Sequence, residues 1–115
     1  MLTAPALWID GSGTPWIFVA TKSGTSAVTV TADATGKLAI NMKWKNANAR
    51  NSPLVANGVL YLAGSNIVEA LDPTTGTSLF SDKTIGALHW QSPVVANGIL
   101  YVADSSAHVT AWSLP

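Results

Sequence analysis

The chain has no cysteine. Disulfide frameworks, cysteine-ligated metal sites and thiol nucleophiles are excluded, and the redox compartment stays open, because a cysteine-free chain persists in oxidising and reducing conditions alike. Charge is scarce: 10% of the residues are charged, six basic against six acidic, for a formal net charge of zero. A nucleic-acid-binding domain is usually strongly basic and a charged disordered chain carries a large net charge, so neither class fits. Long apolar runs are missing. The longest strongly apolar run, Trp16-Ile17-Phe18-Val19-Ala20, is far short of the roughly 20 residues that span a bilayer as a helix. Met1-Leu2-Thr3-Ala4-Pro5 has neither a basic n-region nor an apolar h-region, so no signal peptide is read there. Sustained helical periodicity is absent too, with Gly, Pro, Asn and Thr interrupting throughout.

What the chain does have is a repeat. Its 115 residues, 48% of them apolar, suit one compact unit. Ser52-Pro53-Leu54-Val55-Ala56-Asn57-Gly58-Val59-Leu60-Tyr61-Leu62-Ala63 returns as Ser92-Pro93-Val94-Val95-Ala96-Asn97-Gly98-Ile99-Leu100-Tyr101-Val102-Ala103, offset by 40 residues without a gap. Every difference exchanges one aliphatic residue for another. A worn copy lies upstream, with Ala4-Pro5-Ala6-Leu7 and Ile17-Phe18-Val19-Ala20 around a longer turn, Asp10 to Pro15. Gly36 and Gly76 are also 40 apart.

Asn57-Gly58 and Asn97-Gly98 sit between apolar runs. Asn-Gly favours a two-residue hairpin, since both central residues of a type I′ turn need positive φ. Pro53–Ala56 is therefore expected to pair with Val59–Ala63, and Pro93–Ala96 with Ile99–Ala103. Third strands follow at Val28–Ala32, Ile67–Leu71 and His108–Trp112, and fourth strands at Lys37–Met42 and Thr77–Phe80. Ile99–Ala103 is apolar on both faces, which predicts cover on both sides. Four-stranded sheets stacked at this period predict an all-β fold, a partial β-propeller of about three four-stranded antiparallel blades with the last incomplete. A β-sandwich is the runner-up. Residues 1–115 form a single fragment, with units over approximately 4–44, 52–80 and 92–115. The short segment Met1–Ala4 is the one N-terminal candidate to supply a missing strand.

These residues resemble the PQQ-type propeller repeat of quinoprotein alcohol dehydrogenases and of the outer-membrane-protein assembly lipoprotein of Gram-negative bacteria. The family pattern continues Ala-x-Asp-x-x-Thr-Gly-x-x-x-Trp. The second unit carries Ala70, Asp72, Thr75 and Gly76, with Phe80 in place of the docking tryptophan. The first keeps Asp33, Thr35 and Gly36, one residue short, and its Trp44 comes late. The last keeps Ala111 with Ser113 for Asp. Gly76 follows Asp72-Pro73-Thr74-Thr75, a turn in which Asp72 can accept from the turn amides. Quinone catalysis in the family implies a closed ring, a calcium ion held by acidic and amide side chains, a catalytic Asp and often a vicinal cysteine pair.

Other candidate chemistries find less support. Asp10-Gly11-Ser12-Gly13-Thr14 offers one carboxylate, too few for calcium, and reads better as a hairpin loop. His89 and His108 have no acidic or nucleophilic neighbour in a known motif and read as structural or surface residues. Lys43-Trp44-Lys45 with Arg50 could stack on and neutralise a nucleic-acid strand, but the neutral chain favours a solvated loop, with contact to a protein partner as a further reading. Trp8, Trp16, Trp44, Trp90 and Trp112 read mainly as packing between sheets, with a sugar-stacking platform as the alternative.

The expected function is non-catalytic: a scaffold or binding module in a larger exported bacterial protein, periplasmic or secreted by resemblance. No catalytic, cofactor-binding or metal residue is assigned, no cofactor is called for, and neither nucleic acid nor a membrane span is expected. The partner is another protein or the remaining propeller blades. One alternative is the C-terminal part of a PQQ-dependent dehydrogenase. Another is a self-assembling propeller completed by several chains, a homo-oligomer with Ile99–Ala103 and Trp112 near the contact.

Overall fold

The structure, a computed structural model, describes residues 4–48 and 50–113. Among the described residues there are eleven strands and no helix. The strands β1 (Ala6–Ile9), β2 (Pro15–Thr21), β3 (Gly24–Ala32) and β4 (Leu38–Asn46) form the first sheet. The second sheet holds β5 (Asn51–Ala56), β6 (Val59–Gly64), β7 (Ile67–Leu71) and β8 (Ser78–Asp82). The third holds β9 (Val94–Ala96), β10 (Ile99–Ala103) and β11 (Val109–Ser113). Each sheet is an antiparallel meander of sequence neighbours. The all-β expectation holds. Three of the four residues read as Met1–Ala4 lie outside the described residues.

The hairpin signals produce hairpins. Asn57 and Gly58 have φ of 50° and 72°, and Asn97 and Gly98 have 50° and 73°, the left-handed pair that a type I′ turn requires. Ala56 pairs with Val59 and Ala96 with Ile99 across these turns. Ser65 and Asn66, at φ 50° and 64°, make the same kind of turn between β6 and β7 without a glycine.

A repeated bulge explains the late Trp44. In the first sheet Ala27 pairs with Trp44 and Val28 with Met42, so Lys43 is an extra residue. In the second, Ala70 pairs with Phe80 and Leu71 with Ser78, so Leu79 is extra. Trp44 and Phe80 thus occupy one register position, and the structural counterpart of Ala70 in the first unit is Ala27. The predicted fourth strand Lys37–Met42 extends to Asn46 because the bulged pairing continues to Thr25 and Asn46.

Directly opposed residues share a sheet face. Two neighbouring cross-strand rows in each sheet lie on opposite faces. One is aromatic-centred: Ala6–Phe18–Ala27–Trp44, Leu54–Tyr61–Ala70–Phe80 and Val94–Tyr101–Ala111. The other is mainly aliphatic: Leu7–Ile17–Val28–Met42, Val55–Leu60–Leu71 and Val95–Leu100–Trp112. The aromatic row of the first sheet shares a core with Val55, Leu60 and Leu71 of the second. Leu54, Tyr61 and Ala70 share the other core with Val95, Leu100 and Trp112. The second sheet is thus the middle layer, and β6 from Leu60 to Gly64 is buried on both faces. Fully buried Phe18, Leu60 and Leu100 contribute roughly 1.5–3 kcal/mol each. The cover expected on both faces of β10 is found on one. Leu100 and Val102 are buried, while Ile99 and Tyr101 are half-buried and Ala103 is exposed, because the stack covers only the inward side of the third sheet.

Candidate binding cleft

The turn residues explain what the carboxylates do. Asp10 Oδ1 accepts from the Ser12 hydroxyl at 2.6 Å, the Ser12 amide at 2.9 Å and the Thr14 amide at 3.0 Å, and Oδ2 accepts from Trp16 Nε1 at 2.8 Å. This is a hairpin loop locked by its own aspartate. Asp33 and Asp72 accept from the hydroxyl and amide two residues on, Thr35 and Thr74, and from further turn amides at Lys37 and Thr75. Asp82 holds Thr84 in the same way and also accepts from Trp112 Nε1 at 2.8 Å, tying the second sheet to the third. Asp104 accepts from the amides of Ser106 and His108 and, across the chain, from Gly86. Glu69 Oε2 accepts from Arg50 Nε at 2.8 Å. All six Asp and Glu side chains are committed to holding the chain in shape.

Those hydrogen bonds set a pH dependence. The Ser12, Thr35, Thr74 and Thr84 hydroxyls, leading in each case, hold Asp10, Asp33, Asp72 and Asp82 below the ordinary 3.8; at Asp104 the His108 amide leads. A carboxyl whose pKa falls on folding adds stability above its unfolded value and loses it as pH drops through the folded value. The melting temperature is therefore expected to hold from about pH 7 to about pH 5 and to fall below about pH 4. A thermal melt series across that range checks it; an acid-insensitive melting temperature contradicts it.

The basic cluster does not assemble. Lys43 and Lys45 are exposed, but Trp44 faces the sheet core and Arg50 is drawn to Glu69. Trp44 Nε1 donates to the Pro73 carbonyl at 2.9 Å. A Cβ on Gly76 would lie 2.8 to 3.2 Å from three atoms of the Trp44 ring, so the indole is stacked face-on over that glycine. Trp8, Trp16, Phe18 and Trp44 form a continuous aromatic series, each neighbouring pair 6.2 Å apart. The structural reading thus holds for Trp8, Trp16, Trp44 and Trp112, while Trp90 is 63% exposed and lies 5.9 Å from His89. The His108 side chain is exposed, with Nδ1 3.7 Å from Asp104 Oδ2.

A cleft of about 520 Å3 opens between β8 and β11. Its walls include Phe80 and Leu79 of the second sheet, Trp112 and Ala111 of the third, and Tyr61 and Leu100 toward its floor. Phe80 is 41% exposed, whereas its register counterpart Trp44 packs under the neighbouring sheet. The Trp112 indole N–H is held by Asp82, and burial pushes the Tyr61 phenol above its ordinary value. Such a cleft accepts an apolar or aromatic group, with Tyr61 and Ser113 as its hydroxyls. Its walls meet across sheets, so no local spacing announces it; Phe80 in place of tryptophan is the one trace in the sequence. No protein-family model matches the chain, and no curated protein matches it.

Proposed function

We propose that this chain is a non-catalytic scaffold or binding module, a portion of a PQQ-like β-propeller in an exported bacterial assembly. The observation that carries the reading is the commitment of all six Asp and Glu side chains to turns, inter-sheet ties and the Arg50 pair. Calcium-assisted quinone chemistry needs carboxylate oxygens that converge on a metal and on a reacting atom. Here each carboxylate faces its own donors. What the chain presents instead is apolar: the Phe80–Trp112 cleft and the two outer sheet faces. Surfaces of this kind bind partners rather than transform substrates. The docking of Trp44 on Gly76 and the Pro73 carbonyl supports the propeller reading, because it joins successive units through the tryptophan and glycine positions that the family repeat pattern marks.

The test is a titration of the chain with pyrroloquinoline quinone in the presence of calcium, coupled to an alcohol-oxidation assay. Neither saturable quinone binding nor turnover is expected. Stoichiometric, saturable binding would overturn the reading in favour of a dehydrogenase portion.

A further inference from the structure

The two outer faces of the stack are the two halves of an interface that the chain already contains twice. Inside the molecule an aromatic-centred row always packs on a mainly aliphatic one. Ala6–Phe18–Ala27 meets Val55–Leu60–Leu71, and Leu54–Tyr61–Ala70 meets Val95–Leu100–Trp112. Two rows lack such cover. On the first sheet, Leu7 and Met42, at the ends of the Leu7–Ile17–Val28–Met42 row, are 68% and 60% exposed. On the third sheet, Val94 is 56% exposed and Ala111 is exposed, flanking half-buried Tyr101. The first of these is the counterpart of the Leu60 row and the second the counterpart of the Tyr61 row.

We propose that copies of this chain associate head to tail, the Val94–Tyr101–Ala111 face of one copy packing on the Leu7–Ile17–Val28–Met42 face of the next. The repeat supplies the reason for choosing a second copy over an unrelated partner. A surface that fits the Tyr101 row must resemble the aliphatic rows that cover Phe18 and Tyr61, and the first sheet carries the third such row. Neither row contains a charged residue; the nearest charge on the first-sheet face, exposed Lys45 in the adjacent Val19–Ser26–Lys45 row, lies on the edge strand β4, where its ammonium can stay in water. Pairing like with like, aromatic row on aromatic row, has no precedent within the fold. The contact is heterologous, and such contacts either close into a ring or continue as an open stack. The inference names a partner for the scaffold reading and rests on it only in treating the outer faces as binding surfaces.

Sedimentation of the wild-type chain and two surface variants tests it. Leu7→Glu/Met42→Glu disables the first-sheet face, and Val94→Glu/Ala111→Glu disables the third-sheet face. All four side chains are exposed, so the fold is expected to survive, checked by circular dichroism. The wild type is expected to associate as concentration rises through the micromolar range. Each variant alone is expected to stay monomeric. An equimolar mixture is expected to form a heterodimer that grows no further, because one good face remains on each partner. A monomeric wild type, a variant that self-associates as well as the wild type, or a mixture that stays monomeric would each overturn the proposal. If a double variant loses its β-sheet signal, the single changes Met42→Glu and Val94→Glu carry the same comparison. A monomeric wild type that also binds no quinone overturns the head-to-tail contact and leaves the scaffold reading standing.

Discussion

Replacing Trp44 with Ala is expected to cost about 3 kcal/mol of folding stability, the low end for removing a packed tryptophan, since this one is half-buried. Three contacts go at once. The ring leaves Phe18, whose centroid is 6.2 Å away. It uncovers Gly76, and the Pro73 carbonyl loses the indole N–H at 2.9 Å. Trp44→Phe keeps most of the apolar contact and loses the hydrogen bond, so a cost nearer 1 kcal/mol is expected. Gly76→Ala attacks the same contact from the other side: its φ is 73°, where a side chain is strained, and the new methyl would stand 2.8 Å from the ring. Urea unfolding of the three variants checks the order. A domain of this size has roughly 5–15 kcal/mol in all, so Trp44→Ala removes a large share. A loss below about 1 kcal/mol at Trp44→Ala would mean that the indole does not join the first two sheets.

Arg50→Met is expected to cost about 3–5 kcal/mol, because it leaves the Glu69 carboxylate buried without its cation. The two side chains are only 11% and 9% exposed, and the contact is 2.8 Å. Glu69 lies opposite Leu62, on the face of β7 that turns toward the first sheet. Water cannot readily replace the guanidinium there. The double change Arg50→Met/Glu69→Leu is expected to recover most of the loss, because replacing a buried pair by apolar groups is commonly neutral or better. Denaturation midpoints of the single and double variants give the comparison. A single variant as stable as wild type would place the pair in solvent.

Much of the fold was legible in the residues, and the reasons are local. The Asn57-Gly58 and Asn97-Gly98 turns act through adjacent residues, so β5–β6 and β9–β10 follow from the chain order alone. The gapless repeat from Ser52 to Ala63 and Ser92 to Ala103 gave the second and third units their shared register. The first unit was harder, because its longer loop and its bulge at Lys43 shift Trp44 away from the repeat spacing; only the pairing of Ala27 with Trp44 restores the equivalence. The Ser65-Asn66 turn carries no Asn-Gly signal, because neither residue is a glycine although both take positive φ. Asp72 was readable as a turn acceptor. The second role of Asp82, holding Trp112 from 30 positions away, was not, nor was the cleft, whose walls come from separate sheets. The apolar character of Ile99–Ala103 is local, but its cover depends on which sheets stack against it, and only the inward face of β10 is covered.

The stacking of self-similar sheets through Trp44 is the central claim, and nuclear magnetic resonance tests it most directly. The indole lies face-on over Gly76, and its N–H reaches the Pro73 carbonyl. One Hα of Gly76 is therefore expected far upfield of ordinary glycines, shifted by the ring current, with nuclear Overhauser contacts to the Trp44 ring. The shift should vanish in Trp44→Ala while the other glycines keep theirs. A Gly76 Hα at ordinary glycine positions, with no contact to any tryptophan ring, would contradict the stacked arrangement.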